Sequence, residues 1–310
     1  MQGLLLTALH SFMNTRHYHH LARRINQTLL LPCLRLKTKY FDVSDARVEV
    51  RPADLQIDVD VFIPFAAKDR ETLPLVIHGL RKNVRHNIST IYLVAAEKKE
   101  NKILCASLGC NFVDEASVLP IRKTDIHYLY GSHRQDRSGW LFQQLLKLSC
   151  EEVSTAENIL IVDADTILIR PQYYFHNGIA IMNVSDEFYI PWFLRYEKVY
   201  GRRLLFPISF TSHQMLYERD QLREMKASIV RRHDQLWFEV LIGLIDSNEK
   251  SVMSEQDFYG HHVLSVDKKR RKLVYWKNIR LERAQVDPYE EYEERYASEY
   301  KSVSIHKYAK

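Results

Sequence analysis

The sequence predicts an α/β fold with a mostly parallel, Rossmann-type sheet flanked by helices. From residue 57 onward, segments patterned as strands alternate with segments that have helical spacing, and the links between them are short. Neither an internal repeat nor a low-complexity linker interrupts the alternation. This pattern implies parallel strands joined by right-handed crossovers. We therefore expect a basic, helical N-terminal segment at residues 1–50 and one α/β domain at residues 51–310.

The alternation is clearest in the first part of this domain. The sequence predicts a strand at 57–65, a helix at 71–85, a strand at 91–95, a helix at 98–108 and a short strand at 110–113. No G-x-G-x-x-G follows the first strand, so the fingerprint of dinucleotide binding is absent.

The next predicted elements lead to a pair of acids. Residues 138–149 begin with a helix-capping type of serine and have apolar residues at helical spacing. The apolar strand Asn158–Val162 follows, and after it come Asp163-Ala-Asp165 and a second apolar run. Two carboxylates at the end of a buried strand suit Mg²⁺ or Mn²⁺, whose other ligands are often substrate phosphates. Because ligands collect at strand ends in open α/β sheets, the sequence predicts a metal–nucleotide site at Asp163 and Asp165.

The second half of the domain has shorter, mixed elements. They include residues 215–228 and a helix at 234–245. Residues 288–300 carry four tyrosines at helical spacing, which predicts a helix whose aromatic face packs on the body of the protein. Residues 302–308 have the pattern of a strand that ends in His306 and Lys307.

Two of these late segments carry groups suited to chemistry. Ser254–Gly260 brings Glu255 and Asp257 together with aromatic residues that can stack on a sugar, and a carboxylate can act as a general base. Serine followed by acids is also an ordinary helix-capping sequence. His306 can complete a metal shell and Lys307 can meet a phosphate, although a late histidine is also an ordinary surface residue. The residues alone leave both interpretations open.

In their order, these segments resemble the GT-A class of nucleotide-sugar glycosyltransferases. They look closest to a bacterial group associated with capsule and other surface polysaccharides. The resemblance covers about residues 55–310 and is most specific in the G-W-x-x-Q-Q-x-x-K-L helix from Gly139 and the S-E-x-x-x-Y-G segment from Ser254. The D-x-D pair is common to the whole class.

The resemblance implies roles for individual residues. It places Asp163 near the donor ribose and the metal, and Asp165 and His306 on the metal. In an inverting enzyme it makes Glu255 the base, with Asp257 as an alternative. The implied contacts to the nucleotide sugar are Lys68, Asp69, Arg137, Trp140, Gln144, Lys147, Asp163 and Lys307.

The implied activity is transfer of a sugar from a nucleotide-sugar donor to a saccharide or polymer acceptor, with Mn²⁺ or Mg²⁺ and without nucleic acid. One alternative is a phosphatase of the haloacid-dehalogenase type, which uses the first Asp of a D-x-D as a nucleophile. That class favours Thr or Val four residues later, where this chain has Ile167. A second alternative is a non-catalytic scaffold of the same fold that holds an anionic partner through its N-terminus and Lys268–Lys272.

The N-terminal segment combines an apolar helical face with basic residues. Tyr18, Leu21, Ala22, Ile25 and Leu29 fall on one face, and arginines fall elsewhere. This pattern is typical of a helix that docks on the catalytic body. It also fits a helix that lies on an anionic membrane or on a partner in an assembly complex.

Composition and cysteine usage point to the cytoplasm. A net charge of +5 is mild, and the four cysteines lack the spacing of disulfide or zinc motifs, which predicts buried free thiols. No apolar run approaches the roughly 20 residues that span a bilayer, and the first residues make a poor signal peptide. We expect a cytoplasmic protein, with peripheral contact to the inner face of the cell membrane as the finer hypothesis.

Overall fold

The computed structural model describes residues 15–41, 51–204, 206–282 and 286–306. The strands are β1 Asp58–Pro64, β2 Asn87–Ala95, β3 Asn111–Asp114, β4 Leu129–Tyr130, β5 Gln135–Asp136, β6 Asn158–Val162, β7 Thr166–Leu168, β8 Phe175–His176, β9 Ile179–Val184, β10 Gln214–Glu218, β11 Arg271–Tyr275, β12 Asn278–Glu282 and β13 Ser302–His306.

Among the described residues, three α-helices precede the first strand, and the others lie between the strands. They are α1 Thr15–Ile25, α2 Leu31–Phe41, α3 Pro52–Leu55, α4 Leu73–Asn83, α5 Lys99–Ser107, α6 Ser138–Lys147, α7 Ile190–Tyr200, α8 Arg219–His233, α9 Trp237–Ile242, α10 Glu255–Val266 and α11 Tyr289–Tyr296. A π-helical stretch, Asn26–Leu30, joins α1 to α2.

The central sheet has the strand order β10-β6-β1-β2-β3. β1 pairs in parallel with β2 and β6, and β2 pairs in parallel with β3, while β10 is an antiparallel edge strand beside β6. The predicted α/β class and mostly parallel sheet are therefore confirmed. The predicted elements from residue 57 to 113 are also confirmed, with ends shifted by a few residues.

Both faces of this sheet are buried, and the side chains of each strand alternate between two apolar clusters. Val61 and Ile63 of β1 point to one cluster, and Phe62 between them points to the other. Leu160 and Ile161 of β6 divide in the same way. A strand covered on both faces is apolar at nearly every position, which explains the continuous runs in the sequence.

Close packing holds α4 against strand β7. A Cβ atom at Gly79 would lie 2.6 Å from the carbonyl oxygen of Leu168, so only glycine permits this approach of α4 to β7. β7 belongs to a small sheet of order β12-β13-β7, and a second small sheet has the order β11-β9-β8. These two sheets extend the fold beside the carboxyl ends of the central strands.

Residues 15–41, here called the N-terminal helix, pack on the body of the protein. Leu31 and Leu34 belong to an apolar cluster of the body, and the Tyr18 hydroxyl donates to the carbonyl of Leu204 at 3.1 Å. The predicted apolar face is divided, because Leu21, Ile25 and Leu29 are 41%, 44% and 62% exposed. The expected domain boundary at residue 50 lies outside the described residues and stays a prediction.

Two further expectations concern the chain as a whole. All four cysteines are free thiols, as predicted, but only Cys105 and Cys150 are buried, whereas Cys110 is half-buried and Cys33 is exposed. In the described part of the chain, no helix has the length and hydropathy to cross a membrane.

Candidate active site

A cavity of about 290 Å³ lies at the carboxyl edge of the central sheet; we call it the aspartate cavity. Most of the residues singled out in the sequence line it. They are Lys68, Asp69, Trp140, Gln144, Lys147, Asp163, Asp165, Glu255 and His306.

The sheet topology explains why these residues meet. Lys68 and Asp69 follow β1, and Asp163 follows β6; the two strands are parallel neighbours, so their carboxyl ends share one edge. β13 pairs antiparallel to β7, and His306 at its end comes back to the D-x-D turn. The main-chain N–H of Ile305 donates to the carbonyl of Asp165 at 2.9 Å, which fixes this approach.

Asp163 has a basic group at each of its oxygens. The Lys147 ammonium pairs with Oδ1, and His213 Nδ1 lies 3.1 Å from Oδ2. Burial would raise the pKa of the Asp163 carboxyl, but Lys147 and His213 together hold that pKa well below its usual range. Asp163 is therefore an anion that is oriented at both oxygens.

Lys147 also joins Asp163 to Glu255. Its ammonium lies 2.9 Å from Glu255 Oε1, and its side chain is only 7% exposed. Burial would lower the pKa of Lys147, but the two carboxylates outweigh burial and raise it. Glu255 is the first residue of α10, where the Ser254 hydroxyl caps the helix by accepting from the N–H of Asp257 at 3.2 Å. Both the capping and the chemical interpretations of this segment are therefore compatible with its geometry.

Asp165 and His306 are in contact in the wall of the aspartate cavity. Asp165 Oδ2 lies 3.2 Å from His306 Nδ1. Within the described ranges, no three His, Cys, Asp or Glu side chains are grouped so as to hold a metal ion. A carboxylate suits Mn²⁺ or Mg²⁺ when substrate phosphates complete the shell, and an imidazole is a common ligand of metal ions in proteins. Asp165 and His306 thus fit a metal that is shared with a diphosphate, whereas Asp163, the third predicted ligand, pairs with Lys147 and His213 instead.

Sequence reasoning missed three residues of this network. His213 precedes β10, and its Nε2 lies 3.3 Å from Glu187 Oε1, while Arg280 on β12 pairs with the same carboxylate. Burial would lower the pKa of His213, but Asp163 and Asp165 raise it. These residues have no motif around them, and only the antiparallel placement of β10 brings His213 to the edge.

Two other predicted residues, Arg137 and Asp257, do not line the aspartate cavity. Arg137 lines an adjoining cavity of about 500 Å³, which shares Lys68 and Trp140 with the aspartate cavity, and its guanidinium lies 4.7 Å from the Trp140 ring centre. Asp257 does not line the aspartate cavity: it is 1% exposed, and its Oδ1 accepts from the N–H of Phe210 at 2.6 Å. Lys307 is outside the described residues.

Comparisons with known proteins give distant similarities. No protein-family model matches the sequence, and no curated protein matches it. The solved structure of mouse xyloside xylosyltransferase 1 is similar at 11% identity over 80% of this chain and 97% of that chain, with a TM-score of 0.41. The galactosyltransferase LgtC, in complex with donor and acceptor sugar analogues, shares 12% identity over 71% and 75% of the two chains, with a TM-score of 0.38.

Glucosyl-3-phosphoglycerate synthase from Mycobacterium tuberculosis, in complex with Mn²⁺, uridine diphosphate and phosphoglyceric acid, shares 12% identity over 74% of each chain. Its TM-score is 0.39. Similarity at this level does not assign an activity.

Proposed function

We propose that the protein is a metal-dependent glycosyltransferase that moves a sugar from a nucleotide-sugar donor to a saccharide or related polyol acceptor. The observation that carries the proposal is the meeting of the D-x-D pair with His306, Lys147 and Glu255 in one cavity at the carboxyl edge of a parallel sheet. Such an edge is where nucleotides bind in α/β folds.

The residues divide into those for the donor and those for the acceptor. Asp165 and His306 would hold Mn²⁺ or Mg²⁺, which neutralises charge on the departing nucleoside diphosphate. Asp163, held by Lys147 and His213, is placed to orient the donor. The adjoining cavity, with Arg137 over Trp140, offers a planar cation and a ring to the nucleoside.

Glu255 is the residue we propose for the acceptor hydroxyl. It lines the aspartate cavity, and Lys147 positions its carboxylate. In this role it would take the acceptor proton in an inverting reaction. Asp257 points to the main chain of Phe210, which favours Glu255 between the two acids.

The alternatives have less support from the geometry. A phosphatase would need Asp163 as a free nucleophile, but both of its oxygens have basic partners. A non-catalytic scaffold would have no need for the Lys147-linked acids in a cavity. The capsule or surface-polysaccharide role rests on the motif resemblance alone. We propose a cytoplasmic protein whose exposed N-terminal leucines and isoleucine contact the inner face of the membrane.

The direct test is a donor screen. Purified protein is incubated with Mn²⁺ or Mg²⁺ and a panel of nucleotide sugars, and release of nucleoside diphosphate is followed. We expect metal-dependent release from one donor class, abolished by EDTA. Release of inorganic phosphate from phosphomonoesters, without release of nucleoside diphosphate, would support the phosphatase instead.

A further inference from the structure

Two tryptophans line the aspartate cavity, Trp140 and Trp192, and they differ in what else they contact. Trp140 also lines the adjoining cavity assigned to the nucleoside, where the Arg137 guanidinium lies over its ring. Of these two cavities Trp192 lines only the aspartate cavity, and the proposed donor contacts do not use it. Its side chain is half-buried, so part of the ring is open to a ligand.

The Trp192 ring is held in one orientation by two neighbours. Its indole N–H donates to the Ser251 hydroxyl oxygen at 2.8 Å, and that hydroxyl in turn donates to the carbonyl of Met253 at 3.4 Å. The Tyr189 ring packs on the indole at an angle of 69°, with 5.4 Å between the ring centres. The Tyr189 hydroxyl donates to the Glu249 carboxylate, which ties this second neighbour to the segment before α10. A ring held in this way loses little freedom when a ligand packs on it.

The hydrogen bond to Ser251 also keeps Trp192 near Glu255, the proposed base. Ser251 is four residues before Glu255 in the chain, and Met253 and Ser254 between them line the same cavity. Four residues of chain span at most about 14 Å when fully extended. A mono- or disaccharide can therefore contact the indole and Glu255 at the same time.

The charges in the aspartate cavity favour an uncharged ligand beside Trp192. Each basic side chain that lines it contacts a carboxylate; they are Lys68, Lys147, His213 and His306. An anionic acceptor would therefore meet Glu187 and Glu255 with none of these cations free to offset the repulsion. Hydroxyl groups can instead donate to carboxylates and accept from Gln143, whose side chain has no hydrogen-bond partner in the part of the chain that the structure describes.

The sequence predicts sugar stacking by the aromatic residues of Ser254–Gly260, and the structure does not support this. Phe258 and Tyr259 are 0% and 2% exposed and do not line the cavity, so neither ring can pack on a ligand. Both belong to the apolar core under α10. The open ring nearest to Glu255 in the chain's hydrogen-bond network is that of Trp192.

We infer that Trp192 is the binding platform for the acceptor, and that the acceptor is a neutral sugar ring rather than an open-chain polyol or an anion. This inference rests on the proposed glycosyl transfer. A pyranose has an apolar face of C–H groups and a rim of hydroxyls. The apolar face packs on the indole, as apolar groups pack on aromatic rings elsewhere, and a hydroxyl of the rim meets Glu255. Trp192 is thus a specificity-determining residue.

The first test compares two variants that both lack the indole N–H. Trp192→Leu also removes the aromatic ring, whereas Trp192→Phe keeps one. With the donor found in the screen, Trp192→Leu should raise KM for a neutral acceptor sugar about tenfold and leave the donor KM unchanged, while Trp192→Phe should stay within about threefold of the parent. Trp237→Leu, a half-buried tryptophan on α9 outside the cavity, is the control and should change nothing. Equal KM in the Leu and Phe variants would overturn the inference.

Hydrolysis of the donor gives a reaction without an acceptor sugar. Release of nucleoside diphosphate with water as acceptor needs the metal and the donor contacts but not the platform. We expect Trp192→Leu to hydrolyse the donor at the parent rate, and to lose most of the acceleration that a neutral sugar gives the parent. A hydrolysis rate that falls in parallel with sugar transfer would show that Trp192 acts on the donor or on the fold, and the assignment to the acceptor would be wrong.

A panel of acceptors tests the chemical class. It contains methyl β-glucoside, methyl β-galactoside and maltose as neutral rings, glycerol as an open-chain polyol, and glucose 6-phosphate as an anion. We expect the parent to prefer a neutral ring, and its advantage over glycerol to disappear in Trp192→Leu but not in Trp192→Phe. A parent that prefers glycerol or glucose 6-phosphate contradicts the inference.

Tryptophan emission provides a test that needs no donor. The full chain with Mn²⁺ is titrated with the same methyl glycosides and maltose, and the emission of the parent is compared with that of Trp192→Phe and Trp237→Phe. A sugar-dependent change that is present in the parent and in Trp237→Phe but absent in Trp192→Phe supports the platform, and no change in the parent overturns it. If no nucleotide sugar is used at all, the proposed function fails, and this titration still decides whether Trp192 contacts a sugar.

Discussion

Lys147 lies between two carboxylates that we assign to different tasks, Asp163 to the donor and Glu255 to the acceptor. Its ammonium contacts both, and the pair raises its pKa against the effect of burial. A buried cation placed in this way stabilises the ionised form of Asp163 and orients the carboxylate of Glu255. Replacing it would leave two negative charges buried side by side, which typically costs about 3–5 kcal/mol.

The role of Asp165 is open to a direct test. Asp165→Asn should keep the fold and lose most metal-dependent donor binding in calorimetry, because an amide is a poorer ligand for Mn²⁺ or Mg²⁺ than a carboxylate. Asp125→Asn, in a short surface turn, is the matched control. Unchanged, EDTA-insensitive activity in Asp165→Asn would exclude a metal at this position.

The base is tested with a second pair of variants. Glu255→Gln should lower kcat by roughly 10²–10⁴, the usual range for loss of a general base, and leave donor affinity almost unchanged. Asp257→Asn should mainly change stability, since Asp257 is buried and its pKa is raised well above the usual value by burial. A larger loss of kcat in Asp257→Asn than in Glu255→Gln would transfer the role to Asp257.

At the scale of elements, the N-terminal helix has two faces with different tasks. Tyr18, Asn26 and Leu31 face the body, and the Asn26 amide donates to the carbonyl of Pro207 at 3.0 Å. Ile25 and Leu29 face outward. The sequence pattern predicts Tyr18 on the same face as Leu21 and Ile25, but in the structure Tyr18 is buried against the body and the other two are exposed.

The outward face can be tested without disturbing the inward one. Ile25→Ser/Leu29→Ser should sediment less with anionic vesicles than the parent chain, and salt should release the parent. The reason is that a modest apolar face adds to about 1 kcal/mol for each nearby Lys or Arg at an anionic surface. Val230→Ser, an exposed apolar residue on α8, is the control. Equal sedimentation of all three proteins would remove the membrane hypothesis.

An element can be predicted when the pattern that marks it lies in its own few residues. β6 is apolar at consecutive positions, and β1 is so from Val61 to Ile63, so the local pattern predicts both strands, and the acids after β6 predict the edge of the sheet. His213, Glu187 and Arg280 come from segments without a motif and meet only through the pairing of β10, β9 and β12 with distant strands. The sequence predicts Asp257 as a second candidate base because it lies close to Glu255. Only the conformation of α10 shows that its carboxylate instead accepts from the N–H of Phe210.

At the scale of the whole molecule, buried histidines make the fold sensitive to acid. Burial lowers the pKa of His261 to about 3 and that of His262 to about 4, and it also lowers the pKa of His86. A histidine whose folded pKa is depressed contributes stability above the unfolded value of about 6.5, and this contribution is lost as the pH falls toward the folded pKa. His213 has a raised pKa and acts in the opposite direction, above pH 6.5.

We therefore expect the free energy of unfolding to fall between pH 6.5 and pH 4. Each histidine that stays neutral in the fold contributes about 1.4 kcal/mol per pH unit. Urea unfolding measured across this range gives the slope. His261→Gln should make the slope shallower, whereas His20→Gln, at an exposed position, should not. A slope that is unchanged in His261→Gln would mean that other groups cause the acid sensitivity.

The position of the N-terminal helix has a consequence for synthesis of the chain. Its partners are late in the sequence: the Thr38 hydroxyl accepts from the N–H of Tyr275, 237 residues further on. At roughly 5–20 residues per second, a ribosome needs about 10–50 s to add that length. During this interval β11, on which α2 packs, has not been made, so the nascent chain carries Leu31 and Leu34 on a helix without this cover until its last third emerges. Chaperone binding to the growing polypeptide should therefore concentrate on this helix.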